Sequence, residues 1–324
     1  MWWISYQGES KHGVDNIGVF EDDGSPREKH PLLLDPSSAA QQLHIARGFA
    51  LVGDDLYIAS AWRKDSHIVL YHRDGNSFRF KEVLATTEQV AAMVHPFDVE
   101  LGDDGRIYVS SQDTNTVVAL VSETRKPAPV AAHLLTHYPN GKFLPGTLVA
   151  SSQGSLPEYG DRASLDVPPP LGLRVVLDDH GKPRHSVRGI VVHRKHLYVA
   201  DEAGDAVKVF DVQSGELLAH ITGRMLKAPV HLVLRGETLY IGASGTGSIL
   251  TQDLSTPPRG ELTALVVIDG KLDAPSGFAV GPDGDLYVAE RKKQRVRRFS
   301  SKGKKKGTFI DDLPDMPEFL VYVP

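Results

Sequence analysis

Short apolar runs separated by polar turns recur along the whole chain. In APSGFAVGPDGDLYVAERKKQRVRRFSSKG, residues 274–303, an apolar run at Gly277–Gly281 leads into the turn Pro282-Asp283-Gly284. A second run follows at Leu286–Ala289 and a third at Val296–Phe299. Runs this short, bounded by turn residues, predict strands, and Asp-Gly between two of them predicts a hairpin. The same phrase returns in IARGFALVGDDLYIAS, HPFDVELGDDGRIYVSS, SVRGIVVHRKHLYVAD and APVHLVLRGETLYIGAS. Aligned on Gly277, the reference positions are Gly48, Asp98, Gly189 and His231. Each is followed 9 or 10 residues later by a tyrosine: Tyr57, Tyr108, Tyr198, Tyr240 and Tyr287. Phe319 in MPEFLVYVP opens the phrase once more, and Trp2-Trp3-Ile4-Ser5 at the other terminus supplies its second half.

A repeat split between the two ends predicts closure. A ring of sheets leaves raw edges unless its termini pair, and raw edges invite aggregation. Four-stranded sheets around a channel, shut by one sheet built from both termini, make an all-β propeller. Successive reference positions are 50, 91, 42, 46 and 42 residues apart, with 53 across the termini. The interval of 91 holds about two periods, and Pro145–Leu156 can be laid on Pro275–Leu286 with Thr147 as its reference. That favours seven blades. Pro157, where a central strand should run, argues for six blades and a long insertion, since proline removes a ladder donor. On either count residues 136–187 form an irregular blade or insertion, a lid candidate on the face where propellers bind ligands.

The repeats resemble the NHL family of propeller repeats, with the pattern P-x-G-I-A-V…D-G-x-L-Y-V-A-D…V-x-x-F. The match is good in Pro275–Phe299, Arg188–Phe210 and Pro96–Leu120. The resemblance implies a propeller fold. It leaves function open, because the family includes lyases, hydrolases and protein- or RNA-binding modules. Amidating lyases and virginiamycin B lyase-like propellers are the distant relatives it suggests. The zinc-dependent amidating lyases place histidine after proline at the inner strand. Here Ser276, Val230, Phe97 and Glu318 fill that slot.

Composition narrows the picture modestly. The 324 residues carry a net charge of −5, which favours no polyanion overall, and contain no cysteine, which excludes disulfides and thiol chemistry. No leader pattern and no apolar run of membrane-spanning length is present, so a single cytoplasmic domain without membrane contact is expected. Residues 291–306 hold ten Lys or Arg, a candidate surface for RNA. A solvated outer strand is the plainer reading.

Polar residues at the starts of the inner strands break the apolar pattern: Glu318, Arg47, Asp98, Arg188, His231 and Ser276, with Glu100 two beyond Asp98. Ends of second strands add Tyr6, Trp62 and Gln112. Arg47 and Arg188 suit a carboxylate or phosphate, and His231 suits acid–base work, with Asp98, Glu100 or Glu318 as partners. Ser276, Trp62, Tyr6 and Gln112 complete the expected substrate wall. A divalent metal (Ca, Mg or Zn) is a further option for the carboxylates and histidines. The expectation is an enzyme of lyase or hydrolase type, acting on a small or medium polar or anionic substrate, a small molecule or peptide. The alternative is a non-catalytic protein- or RNA-binding propeller. The same mixture of charges also fits side chains that pair with one another around a water-filled channel.

Overall fold

The structure, a computed structural model, describes residues 1–7, 14–29, 31–35, 43–62, 65–90, 93–113, 115–121, 131–134, 147–150, 187–212, 217–270 and 272–324. Six sheets stand around one axis. Blade 1 is built from both ends of the chain: Pro317–Tyr322 is its inner strand, Trp2–Tyr6 its second and Ile17–Phe20 its third. Trp2 pairs with Tyr322, Trp3 with Val321 and Ile4 with Leu320. The inner strands of blades 2 to 6 are Ala46–Val52, Pro96–Leu101, Val187–His193, Pro229–Arg235 and Pro275–Val280.

The seven-blade expectation is corrected to six. The inner strand of blade 3 packs directly against that of blade 4, with no sheet between them. Thr147–Ala150, expected to open a blade of its own, instead pairs antiparallel with Ala131–Leu134 and adds a fifth strand to the outside of blade 3. Residue spacing counts chain length, and a short apolar run can cover a sheet edge as readily as begin a sheet. The rest of the lid candidate, 136–146 and 151–186, lies outside the described residues. Blade 4 gains a fifth strand too: Gly260–Thr263, from the connection inside blade 5, pairs in parallel with Leu217–Thr222. Nothing in the repeat pattern announced that exchange.

Local chemistry explains the repeated phrase. In the blade 6 hairpin, Asp283 accepts hydrogen bonds from the Asp285 amide (3.0 Å) and the Tyr287 hydroxyl (3.0 Å), and Gly284 takes the left-handed conformation at φ 79°. Asp104 does the same in blade 3, toward the Arg106 amide (3.1 Å) and the Tyr108 hydroxyl (2.8 Å). In blades 3 and 6 the recurrent tyrosine thus clasps the turn. At the other end, inner and second strands lose register at the reference position in every blade. Such bulges re-aim side chains where pairing breaks.

Reference residues alternate around the ring: Gly48, Asp98, Gly189, His231, Gly277, Phe319 in blades 2, 3, 4, 5, 6 and 1. A Cβ on Gly48 would lie 2.6 Å from the Asp98 Cα, and one on Gly277 2.8 Å from the Phe319 Cα. Each glycine lets its strand close onto the next blade, whose bulky reference residue then reaches across the wider gap beyond. The bore is stopped at this level. Phe97 and Phe319 lie 5.2 Å apart, Phe319 and His231 4.8 Å, and Phe49 and Val230 join the same apolar cluster.

Candidate functional site

The inner strands begin, and the second strands end, at one face. Antiparallel pairing places Ala46 beside Ser60, Pro96 beside Ser111 and Pro275 beside Glu290. Entry to several inner strands runs through a left-handed residue: Ile45 (φ 62°), His95 (φ 55°), Ala228 (φ 47°) and Ala274 (φ 47°). Strained, non-glycine backbone of this kind is held by its surroundings.

At this mouth a chain of charges crosses four blades. Arg291 contacts Gln7 and lies 3.4 Å from Glu318, which pairs in turn with Arg47. The Arg47 and Arg188 guanidiniums both lie over the Phe97 ring, at 5.8 and 5.5 Å. Arg188 pairs with Glu202 at 2.5 Å. Arg47 and Glu318 are buried, whereas Arg188, Glu202 and Arg291 keep partial contact with solvent. The connected groups therefore comprise three guanidiniums and two carboxylates set on an aromatic floor. Beside Phe97, the His95 imidazole meets Asp113 at 3.0 Å (Nδ1 to Oδ1), and both side chains are buried. Their pairing depends on the left-handed turn at His95, which no pattern announces. The backbone amide of Gln112 bonds the His95 carbonyl, and its own side-chain nitrogen has no hydrogen-bond partner among the described residues. Trp62 is 45% exposed and lies 6.4 Å from the His44 ring.

Other expected site residues go elsewhere. Asp98 is buried, accepting hydrogen bonds from the Val99 amide (2.9 Å) and from the Ile190 amide of blade 4 (3.0 Å). Burial pushes its carboxyl up to about 7 against the opposing pull of those two amides. Ser276 donates to the Pro317 carbonyl (2.7 Å), tying blade 6 to blade 1. His231 is 5% exposed, with its ring edge-on to Phe278 (5.3 Å) and Phe319 (4.8 Å). Burial alone pushes it down to about 4, so it is neutral at physiological pH, and its Nδ1 has no hydrogen-bond partner among the described residues. Tyr6 turns outward, lining an apolar groove of about 430 Å³ between blades 1 and 6. Glu100 stands two residues further along the inner strand, away from its start at the mouth. Among the described residues no three His, Asp or Glu side chains converge as a metal ligand set.

The basic stretch 291–306 is largely spoken for by carboxylates. Arg295 and Arg297 meet Glu290 at 2.6 and 3.1 Å; Arg298 and Lys306 meet Asp285, both at 2.6 Å. No helix among the described residues is long and apolar enough to cross a membrane.

The NHL repeat family matches residues 272–299, the phrase centred on Gly277. The chain is a β-propeller, and this one stretch of it matches an NHL repeat. No curated protein matches its sequence significantly. Among solved structures, this propeller is similar to the nidogen/laminin complex (TM-score 0.59, 13% identity, 98% of this chain and 96% of that one). It is also similar to a 6-phosphogluconolactonase-like protein from Bacteroides fragilis (0.57, 14%, 100% and 97%). A third is virginiamycin B lyase from Staphylococcus aureus (0.52, 11%, 85% and 73%). At these identities the likeness establishes the fold, which is shared by enzymes and by a protein–protein complex alike.

Proposed function

We propose that this NHL-like propeller is an enzyme of lyase or hydrolase type, acting on a small anionic substrate at the channel mouth. The observation that carries the reading is the gathering of Arg47, Arg188 and Arg291 at the mouth, two of them over the Phe97 ring, with Arg188 part-exposed. A substrate carboxylate or phosphate suits that cluster. Arg188 is the arginine that reaches it, because it is part-exposed and its partner Glu202 is part-exposed as well. Acid–base work falls to the His95–Asp113 pair beside Phe97, a carboxylate-oriented imidazole of the kind that moves protons near neutral pH. His231, the sequence's own candidate, sits below Phe97 between two phenyl rings, a setting that suits packing.

The test is turnover of a panel of small carboxylate- and phosphate-bearing esters, lactones and β-substituted acids by wild type, Arg188→Met and His95→Asn. At least one member should turn over. Arg188→Met should raise its KM about tenfold or more, as loss of a charged hydrogen bond implies. His95→Asn should lower kcat by about 10²-fold or more, the usual contribution of general acid–base catalysis. No turnover of any member, with no binding of any member in calorimetry, overturns the enzyme reading in favour of a non-catalytic platform.

A further inference from the structure

Blades 4 and 5 depart from the repeat together, and their departures meet at one cavity. The third strand of blade 5, Ser248–Asp253, leads into residues 254–258, which carry the chain across to blade 4, where Gly260–Thr263 pairs with Leu217–Thr222. Between this crossing and the blade 4 hairpin lies a cavity of about 330 Å³. Leu254, Pro257 and Pro258 line it from the crossing; residues 193–196, the turn of the hairpin, line it from blade 4 together with Tyr198. The Leu254 amide donates to the Glu237 carbonyl (2.7 Å) and so fixes the start of the crossing.

The blade 4 turn is built unlike its counterparts. Two-residue turns also join the inner and second strands of blades 2 and 5, and there glycine takes the left-handed position: Gly53 at φ 61° and Gly236 at φ 57°. In blade 4 that position belongs to Arg194, at φ 57°, a conformation that strains a residue with a side chain. Its amide is held by Asp103 of blade 3 (2.8 Å) and its guanidinium by Glu237 of blade 5 (2.9 Å), which also takes His193 (3.2 Å). The tyrosine changes role as well. In blades 3 and 6 its hydroxyl donates to a turn aspartate. Tyr198 has no aspartate in its turn; it is 1% exposed, and its hydroxyl makes no hydrogen bond among the described residues. Burial, ahead of the opposed charges of Arg194 and Glu237, pushes that hydroxyl up to about 12, so it stays a donor. Lys195, the second turn residue, is exposed and has no ion pair among the described residues.

We propose that this cavity binds a small aromatic carboxylate, whose carboxyl group takes the place of the missing turn aspartate on the Tyr198 hydroxyl and pairs with Lys195, and whose ring lies against Leu254, Pro257 and Pro258. A hydroxyl set in an apolar wall without an acceptor is a cost that an accepting ligand removes. The carboxylates already there are engaged: Glu237 by His193 and Arg194, and Asp211 by contacts that include its cross-strand neighbour His196. Burial lowers the His196 pKa, so near neutral pH its ring offers an aromatic wall, 6.4 Å from that of Tyr198, and no charge. The volume lies at the small end for ligand sites, which suits one ring and its carboxyl group. The cavity stands at the turn ends of the strands, opposite the mouth, and is independent of any chemistry there.

The probe is sodium benzoate, titrated into the full chain at neutral pH and followed by amide NMR. The amides of Lys195, His196 and Leu254 should shift together and saturate. Tyr198→Phe, which removes only the hydroxyl, should weaken the binding read at those amides about tenfold, as loss of a hydrogen bond to a charged group implies. Lys195→Gln should weaken it about two- to fivefold, the range for an exposed charge pair, and should leave binding of benzamide, the neutral analogue, unchanged. Lys302→Gln, at an exposed lysine of blade 6, should change nothing. Arg188→Met should leave these shifts as they are, which separates the cavity from anion binding at the mouth. If Tyr198→Phe fails to fold, the comparison of benzoate with benzamide in wild type decides. Benzoate shifts that miss these amides, equal affinity in wild type and Tyr198→Phe, or benzamide bound as tightly as benzoate overturns the proposal.

Discussion

His231 offers the most direct check on how the ring is packed. Its ring is enclosed by Phe278 and Phe319, and burial holds its imidazole neutral by lowering its pKa from 6.5 to about 4. Between those two values the unfolded chain binds a proton that the folded ring refuses, so stability falls as pH falls. At pH 7.5 the penalty is negligible. At pH 4.5 it approaches about 2.5 kcal/mol, from about 1.4 kcal/mol per pH unit over the two units below 6.5. Asp98 and Glu100 act in the opposite sense. Their raised values mean that the folded chain holds protons the unfolded chain releases, so their contribution falls as pH rises toward neutrality. The wild-type profile alone therefore mixes opposing slopes, and the variant difference is the quantity to read.

His231→Leu removes only the histidine term. At pH 7.5 the variant should be as stable as wild type or slightly more so, because the replaced Nδ1 is buried without a hydrogen-bond partner among the described residues. At pH 4.5 it should be more stable than wild type by about 2 kcal/mol or more. Urea unfolding at both pH values, read by the fluorescence of the buried Trp2 and Trp3, gives the double difference. A double difference below about 0.5 kcal/mol, or one of the opposite sign, would refute both the closed environment and the sign of the linkage.

Two further variants probe the charges that the ring does compensate. Lys208 and Asp201 form a buried pair in blade 4 at 2.6 Å, so Lys208→Ala should cost about 3–5 kcal/mol in urea unfolding, whereas the double change Lys208→Met with Asp201→Val should cost much less. Asp98→Ala leaves the Val99 and Ile190 amides without their acceptor and should cost about 2–4 kcal/mol by the same assay, with amide exchange of Ile190 accelerated.

Much of the fold was legible because its rules are local. The Asp-Gly hairpin, the recurrent tyrosine and the split terminal repeat all read directly from the chain and all appear in the structure; that the tyrosine clasps the turn in blades 3 and 6 does not read from the chain. The number of blades was not, since Thr147–Ala150 has the length and apolarity of an inner strand yet pairs at an outer edge. The parallel strand lent to blade 4 by Gly260–Thr263 was equally silent, because its partner is set by where two blades meet. The mouth was legible by position: Arg47, Arg188 and Glu318 do gather there. His231 occupies an equivalent place in the repeat and faces the ring interior, because bulky reference residues alternate with glycines and must fill the gap beyond.

That alternation bears on where chemistry can reside in a repeat protein. Each blade asks for an apolar residue at most buried strand positions, so a charge there is a departure that must be compensated. Arg297 is answered by Glu290, Lys208 by Asp201, and Asp98 by two amides, and each of these holds the ring together. At the mouth the pairing stays open to solvent: Arg188 and Glu202 are part-exposed, while Arg47 and Glu318 are buried. Residue type alone does not separate these cases, for Arg47 and Arg188 each stand one residue before a reference glycine. Their exposure does.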